Sequence, residues 1–187
     1  LDEKVTSKEE TEKLGIRPGD FISFHTRTEY LQNGYLKSRH LDDKACVGCM
    51  LGIAENLVNQ GEQPPHTIHF FISPYEEVGH GSSAALPTGT VEMLALDMAA
   101  MGDGQTSTEH TTTICAKDSS GPYDLSMRKL LIQLAEEKKI TYQVDIYPFY
   151  GSDASAALRA GWDIRCGLIG PGVDASHAYA RTHREGM

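Results

Sequence analysis

The feature that most constrains this chain is the alternation of short strand-like apolar runs with longer stretches of helical periodicity. From Lys44 to Asn59 the residues Val47, Met50, Leu51, Ala54, Leu57 and Val58 recur at a spacing that puts them on one side of a helix. Strand-like runs follow at Thr67 to Ser73, in the segment VEMLALD that ends at Asp97, and at Thr111 to Ala116, Tyr142 to Ile146 and Ile164 to Ile169. Helical stretches at Tyr123 to Lys138 and Ala154 to Ala160 separate the later runs. Strands alternating with helices predict an α/β fold: a three-layer sandwich whose mixed, largely parallel sheet is covered on both faces. Ligands in such sheets gather at strand ends.

The first forty residues have a different character. Ser7 to Leu14 (SKEETEKL) reads as a short helix with Ser7 as N-cap and Glu10 completing a capping box, ended by Gly15. Asp20 to Phe24, after Pro18-Gly19, and Gly34 to Ser38, after Asn33-Gly34, read as strands, the second with a strong hairpin signal. The change near Ser38 divides a β-rich unit, residues 1–36, from an α/β unit, residues 37–187.

Charge and composition remove several classes of function. With 26 acidic against 17 basic residues the net charge is -9, which repels a phosphate backbone and argues against nucleic acid as a partner. No apolar run approaches the eighteen or so residues a membrane span needs. Cys46 and Cys49 form a C-x-x-C, but Cys115 and Cys166 are isolated, so no four-thiolate zinc site is spelled out. The pair reads as the small-residue face of a buried helix, and cysteines in this pattern suit a reducing cytoplasm.

Three places put carboxylates beside hydrophobic sequence: Asp42-Asp43, Glu76-Glu77, and Asp97 closing an apolar strand. Any one of them alone reads as a helix cap or a solvated loop end. Together they suggest a cluster, and clustered carboxylates stay ionised in a partly buried cleft only when cations offset their mutual repulsion. Oxygen ligands joined by imidazole suit zinc, manganese or cobalt. Of the eight histidines, His66 and His69 stand at odd spacing on a strand and point to opposite faces. His25 and His110 read as surface residues. His177 and His183 both follow the Gly170-Pro171-Gly172 turn, and spacing alone does not choose between them.

Five segments in order, SRHLDDKACVG (Ser38 to Gly48), SPYEEVGHG (Ser73 to Gly81), LALDMA (Leu94 to Ala99), GSDASA (Gly151 to Ala156) and SHAYARTH (Ser176 to His183), resemble the tetrahedral, self-compartmentalising metallo-aminopeptidases, a family that includes glutamyl and deblocking aminopeptidases. The resemblance runs through nearly the whole chain. It implies a zinc-exopeptidase-like fold and a two-metal aminopeptidase in which Asp42 bridges the ions and is followed by Asp43 across an often cis peptide. Glu76 matches the general base, Glu77 and His183 the further ligands of one metal, and Asp97 a ligand of the other. His80 and Asp153 would line the substrate side, although Asp153 also suits a helix N-cap.

The same resemblance implies two divalent ions per subunit, zinc first and cobalt or manganese as substitutes, with peptide substrates. It also implies a homo-oligomer of dimers assembled into a dodecamer. Residues 1–36 then correspond to the end of an inserted β-barrel domain through which the family assembles. The family's remaining ligand, an upstream histidine, has no counterpart here, and the chain begins at Leu1 and stops just after the SHAYARTH segment. The expectation is an excised piece, inactive by itself and at best half-loaded with metal. Two rivals are a glycoside hydrolase of endoglucanase type and a non-catalytic domain kept for metal binding or assembly. Adjacent Glu76 and Glu77 cannot straddle a sugar ring at the ~5 to 9 Å that glycosidases use. A proton carrier at Glu76 has no purpose in a purely binding domain.

Overall fold

The computed structural model describes residues 4–187, so the first three residues of the expected N-terminal unit lie outside the described residues. The short helix α1, Lys8–Lys13, has Ser7 as its N-cap, and Ser7 and Glu10 exchange the reciprocal hydrogen bonds of a capping box. A hairpin follows. Its strands β1, Glu29–Tyr30, and β2, Tyr35–Arg39, are joined through the Asn33-Gly34 turn, where Gly34 has φ of +92°. The run Asp20 to Phe24 is not a strand, and neither is Thr67 to Ser73. Both have strand composition, but no strand of the described sheets lies alongside them. Without such a partner the backbone N–H and C=O groups gain nothing from being extended.

Helix α2, Leu41–Gln60, is irregular at its start: Asp42 and Asp43 have non-helical torsions and the peptide between them is cis. The regular turns begin with Lys44, as the periodicity predicts. Ala45 and Cys46 are buried on its inner side, and all four cysteines are free thiols. A single 3-10 turn, Glu76–Val78, leads to β3, Glu92–Leu96, and β4, Ala99–Ala100, with Asp97 between the two strands. The remaining elements are β5, Thr112–Asp118; β6, Gly121–Pro122; α3, Leu125–Lys138; β7, Tyr142–Ile146; α4, Asp153–Arg159; β8, Arg165–Val173; and β9, Tyr179–His183.

The layered α/β architecture expected from the alternation is present. The larger sheet runs β3-β8-β5-β6, with β4 extending the β3 side and β7 pairing with β5. It is mixed: β3 and β4 are parallel to β8, β7 is parallel to β5, and β5 meets β8 antiparallel. Strand β8 lies at its centre, which explains an almost unbroken buried run from Cys166 to Val173 rather than an alternating one. Leu168 and Val173 are each 1% exposed, and burial on that scale contributes about 1.5–3 kcal/mol per side chain. Helix α4 packs four small residues, Ala154, Ser155, Ala156 and Ala157, against this layer. A second, smaller sheet, β1-β2-β9, is antiparallel throughout and ties the N-terminal hairpin to the last strand. No described helix is long and apolar enough to cross a membrane.

Candidate metal centre

A cleft of about 530 Å³ opens at the end of the sheet where β3 stops. Asp42, Glu76, Glu77, Asp97, Asp153 and His177 line it, together with Met98, Gln105, Tyr147, Phe149 and Tyr150. Each acid arrives there for a local reason. Asp97 ends the apolar strand β3, and its backbone N–H still donates to the carbonyl of Ile169 on β8, which holds it at the sheet's edge. The irregular first turn of α2 turns Asp42 and Asp43 toward Asp97, and one carboxylate oxygen from each of the three lies within 4.8 Å of the others. Glu76 and Glu77 occupy the 3-10 turn, whose approach to α4 depends on Gly81. A Cβ at Gly81 would lie 1.7 Å from Ser73 Oγ, 2.6 Å from Asp153 Oδ1 and 2.9 Å from the Glu76 nitrogen.

The histidine in this cleft is His177. Its Nε2 is 3.1 Å from Asp42 Oδ2 and 3.4 Å from Glu77 Oε2, and these three residues form a group able to hold one metal ion. His183, matched to that role by resemblance, is elsewhere. It ends β9 with a buried side chain whose Nε2 lies 2.8 Å from the carbonyl oxygen of Asn33, and it does not line the cleft. The physical reason is strand direction. β8 delivers the chain to the same edge as Asp97, so the loop just after it, with His177 four residues beyond Val173, stays there. β9 then runs back along β2 and carries His183 away. Counting residues from the end of β8 would have favoured His177, because ligands collect in the first loop past a strand's carboxyl end.

His80 packs its ring on Tyr75, with centroids 5.1 Å apart, and is not part of the cleft wall. Asp153 is part of it, though not as a helix cap: Ser152 is the N-cap of α4, while Asp153 Oδ1 accepts a hydrogen bond from the Ser82 N–H at 3.0 Å. Tyr150 was not foreseen. It is half-buried, its hydroxyl donates to the Met98 carbonyl at 3.0 Å, and burial with the neighbouring Asp97 charge holds its proton affinity well above the ordinary phenol range.

The carboxylates strain against one another. Burial, followed by the charge of Glu77, pushes Asp42 up to about 6, with His177 opposing the rise. Burial and the neighbouring Glu77, Asp153 and Asp42 push Glu76 up to about 7. Asp43 is pushed up to about 8, chiefly by burial, and its Oδ1 is buried without a hydrogen-bond partner. Asp97 is raised well above the ordinary carboxylate range by burial and by Asp43 and Glu76. Crowded acids with raised proton affinity, an orphaned buried oxygen and one imidazole make a donor set that suits a divalent cation, which would relieve the repulsion.

Residues 1–187, the whole chain, match the model of a protein family described as M42 glutamyl aminopeptidase. The chain is 52% identical over 187 residues to the Bacillus subtilis (strain 168) protein named "Putative aminopeptidase YhfE", covering all of this chain and 54% of that one. Among solved structures it superposes on the Pyrococcus horikoshii TET1 peptidase, described as able to assemble into a tetrahedron or a large octahedral shell. There the TM-score is 0.81 at 24% identity, over 97% of this chain and 55% of that one. For the TET aminopeptidase of the marine sediment archaeon Thaumarchaeota archaeon SCGC AB-539-E09 the TM-score is 0.83 at 18% identity, over 97% and 54%. At these identities the structural likeness establishes the fold. The chain spans about half the length of the relatives it matches.

Proposed function

Because the chain belongs to the M42 glutamyl aminopeptidase family, we propose that its acidic cleft is the catalytic centre of a metal-dependent aminopeptidase that removes N-terminal residues from peptides. The observation that carries this reading is the meeting of Asp42, Glu77 and His177 around one point, with Glu76 beside them on the same turn. Asp42, Glu77 and His177 would hold one divalent ion, and Asp42 with Asp97 would supply protein ligands for a second. His177 takes the place that resemblance gave to His183. Ions bound there supply Lewis acidity and acidify water, and zinc, cobalt and manganese all tolerate such ligands.

Glu76 is the general base in this reading. A carboxylate placed beside the ligand residues can take a proton from the attacking water and return it to the leaving amine. Desolvation raises its proton affinity, and bound cations would offset the further rise that Glu77, Asp153 and Asp42 cause in the metal-free chain. Asp153, fixed through Ser82, shapes the opposite wall, where Tyr150 and Phe149 offer apolar surface to a substrate side chain. The same reading has the parent protein working as a homo-oligomer in the cytoplasm, in keeping with four free thiols and with the tetrahedral and octahedral assemblies described for the Pyrococcus horikoshii relative.

The test is a panel of aminoacyl-anilides offered to the parent-length protein and to this chain, each with metal content measured. Peptidase activity of the parent that chelator abolishes and divalent metal restores is the expected result. Activity on β-glucans that chelator leaves untouched would replace the reading with that of a glycosidase.

A further inference from the structure

A second group of metal-binding side chains lies away from the acidic cleft, where the end of β9 meets the start of β2 and the loop before β5. His110, His183 and Glu185 each offer one ligand atom, and these atoms all lie within 4.8 Å of one another. Glu185 Oε2 is 2.8 Å from His110 Nδ1 and 3.5 Å from His183 Nδ1. None of the three lines the cleft.

The far nitrogen of each ring is already held. His183 Nε2 is 2.8 Å from the Asn33 carbonyl oxygen, which only accepts, so Nε2 carries the proton and Nδ1 presents its lone pair. The backbone N–H of Glu185 donates to that Nδ1 at 3.2 Å, in agreement with this tautomer, and an ion bound there would take the lone pair in place of that N–H. His110 Nε2 is 3.0 Å from the Tyr35 hydroxyl. Metal-ligating histidines are oriented in this way, one nitrogen toward the ion and the other N–H on a carbonyl or hydroxyl. The pocket is also fitted to the rings. They lie 4.1 Å apart between centroids with Tyr35 edge-on to both, and a Cβ on Gly34 would sit 2.5 Å from His183 Nε2.

We propose that His110, His183 and Glu185 form a second divalent-cation site, a two-histidine, one-carboxylate set suited to zinc, with water as the fourth ligand. Zinc bonds of about 2.0–2.1 Å fit the His183–Glu185 separation and ask Glu185 to move outward from His110 by only a few tenths of an ångström. His110 must offer Nδ1 unprotonated. Its remaining ring proton then sits on Nε2, where the Tyr35 oxygen accepts it. The ion would tie the turn after β9 to the loop before β5.

The test disables the cleft set with Asp42→Asn and Glu77→Gln and titrates the 187-residue chain with zinc, and with cobalt(II) for its absorption spectrum. One equivalent should remain, cobalt should give the spectrum of a tetrahedral site, and His110→Ala or Glu185→Gln should remove that equivalent. Both of those side chains are exposed, so their loss leaves the core packing intact. Circular dichroism checks every variant. A disabled chain that binds no zinc, or one that keeps its equivalent after His110→Ala, overturns the proposal. Should the disabled chain fail to fold, the unmodified chain decides: His110→Ala must lower its zinc stoichiometry by one, and an unchanged stoichiometry overturns the site.

Discussion

His177 reaches across the cleft to Asp42, Nε2 to Oδ2 at 3.1 Å, joining the loop after β8 to the first turn of α2. The imidazole is 75% exposed and the carboxylate 9%, so the histidine is the partner that faces solvent. If the pair is half of a metal site, His177→Ala should weaken zinc binding in the cleft by more than the ~10–100-fold typical of losing a residue that merely supports a ligand. Calorimetric titration of a chain that also carries His110→Ala isolates the cleft. An unchanged affinity after His177→Ala, coupled with a loss after His183→Ala, would reverse the assignment.

Glu76→Gln removes the proton acceptor and leaves the ligand atoms in place. In the parent-length enzyme turnover should fall by about 10²–10⁴, the usual contribution of a positioned acid or base. Metal content should stay at the wild-type level. A proportional loss of both would make Glu76 a ligand instead.

The metal-free chain should lose stability as pH rises. Asp42, Glu76 and Asp43 have folded pKa values of about 6, 7 and 8, above the 3.8 and 4.5 of unconstrained Asp and Glu. The folded state therefore binds these protons more tightly than the unfolded one. That stabilisation is complete below about pH 4, where both states are protonated, and is lost progressively as pH climbs from there through about 6 to 8. Asp42 alone shifts by about two units, worth roughly 3 kcal/mol at most. Thermal unfolding in chelator should show a falling midpoint across this window, and saturating zinc should flatten it. A midpoint that rises with pH in chelator would contradict the electrostatic account.

Ser152 caps α4, exchanges capping-box hydrogen bonds with Ser155 and meets the Tyr123 hydroxyl at 2.7 Å. Ser152→Ala should cost about 1–2 kcal/mol through the lost cap and the lost contact with the Tyr123 hydroxyl, which keeps its hydrogen bond to Asp118. Urea denaturation measures this directly. Because α4 begins at the cleft wall, its fraying should also raise KM more than it lowers kcat.

Much of this molecule is readable from local chemistry. The capping box at Ser7 and Glu10, the Asn33-Gly34 hairpin and the strand Tyr142–Ile146 follow from short-range rules, whereas a cluster of Asp42, Glu77 and Asp97 is suggested by their places beside apolar sequence and by family resemblance. What was not readable depends on neighbours. Thr67 to Ser73 has the composition of a strand, yet a strand exists only where another lies beside it, and its own residues cannot supply one. The histidine at the cleft turned on whether the chain leaves the site before or after reversing direction. His177 and His183 are six residues apart and chemically alike, and only the antiparallel pairing of β9 with β2 separates them. Tyr150 carried no motif, and it acquires significance only through Asp97, 53 positions earlier in the chain.

The stretch 174–178 connects β8, in the larger sheet, to β9, in the smaller one, and is pinched at its base by paired hydrogen bonds between Asp174 and Arg181. His177 thus rides on a bridge with one abutment in each sheet. An ion gripped by His177 and Asp42 would act as a rivet between them, and its dissociation constant would become a gauge of how firmly the N-terminal hairpin is seated. A change made at Tyr30 or Lys37, outside the cleft, should then be felt as a change in how tightly the cleft keeps such an ion.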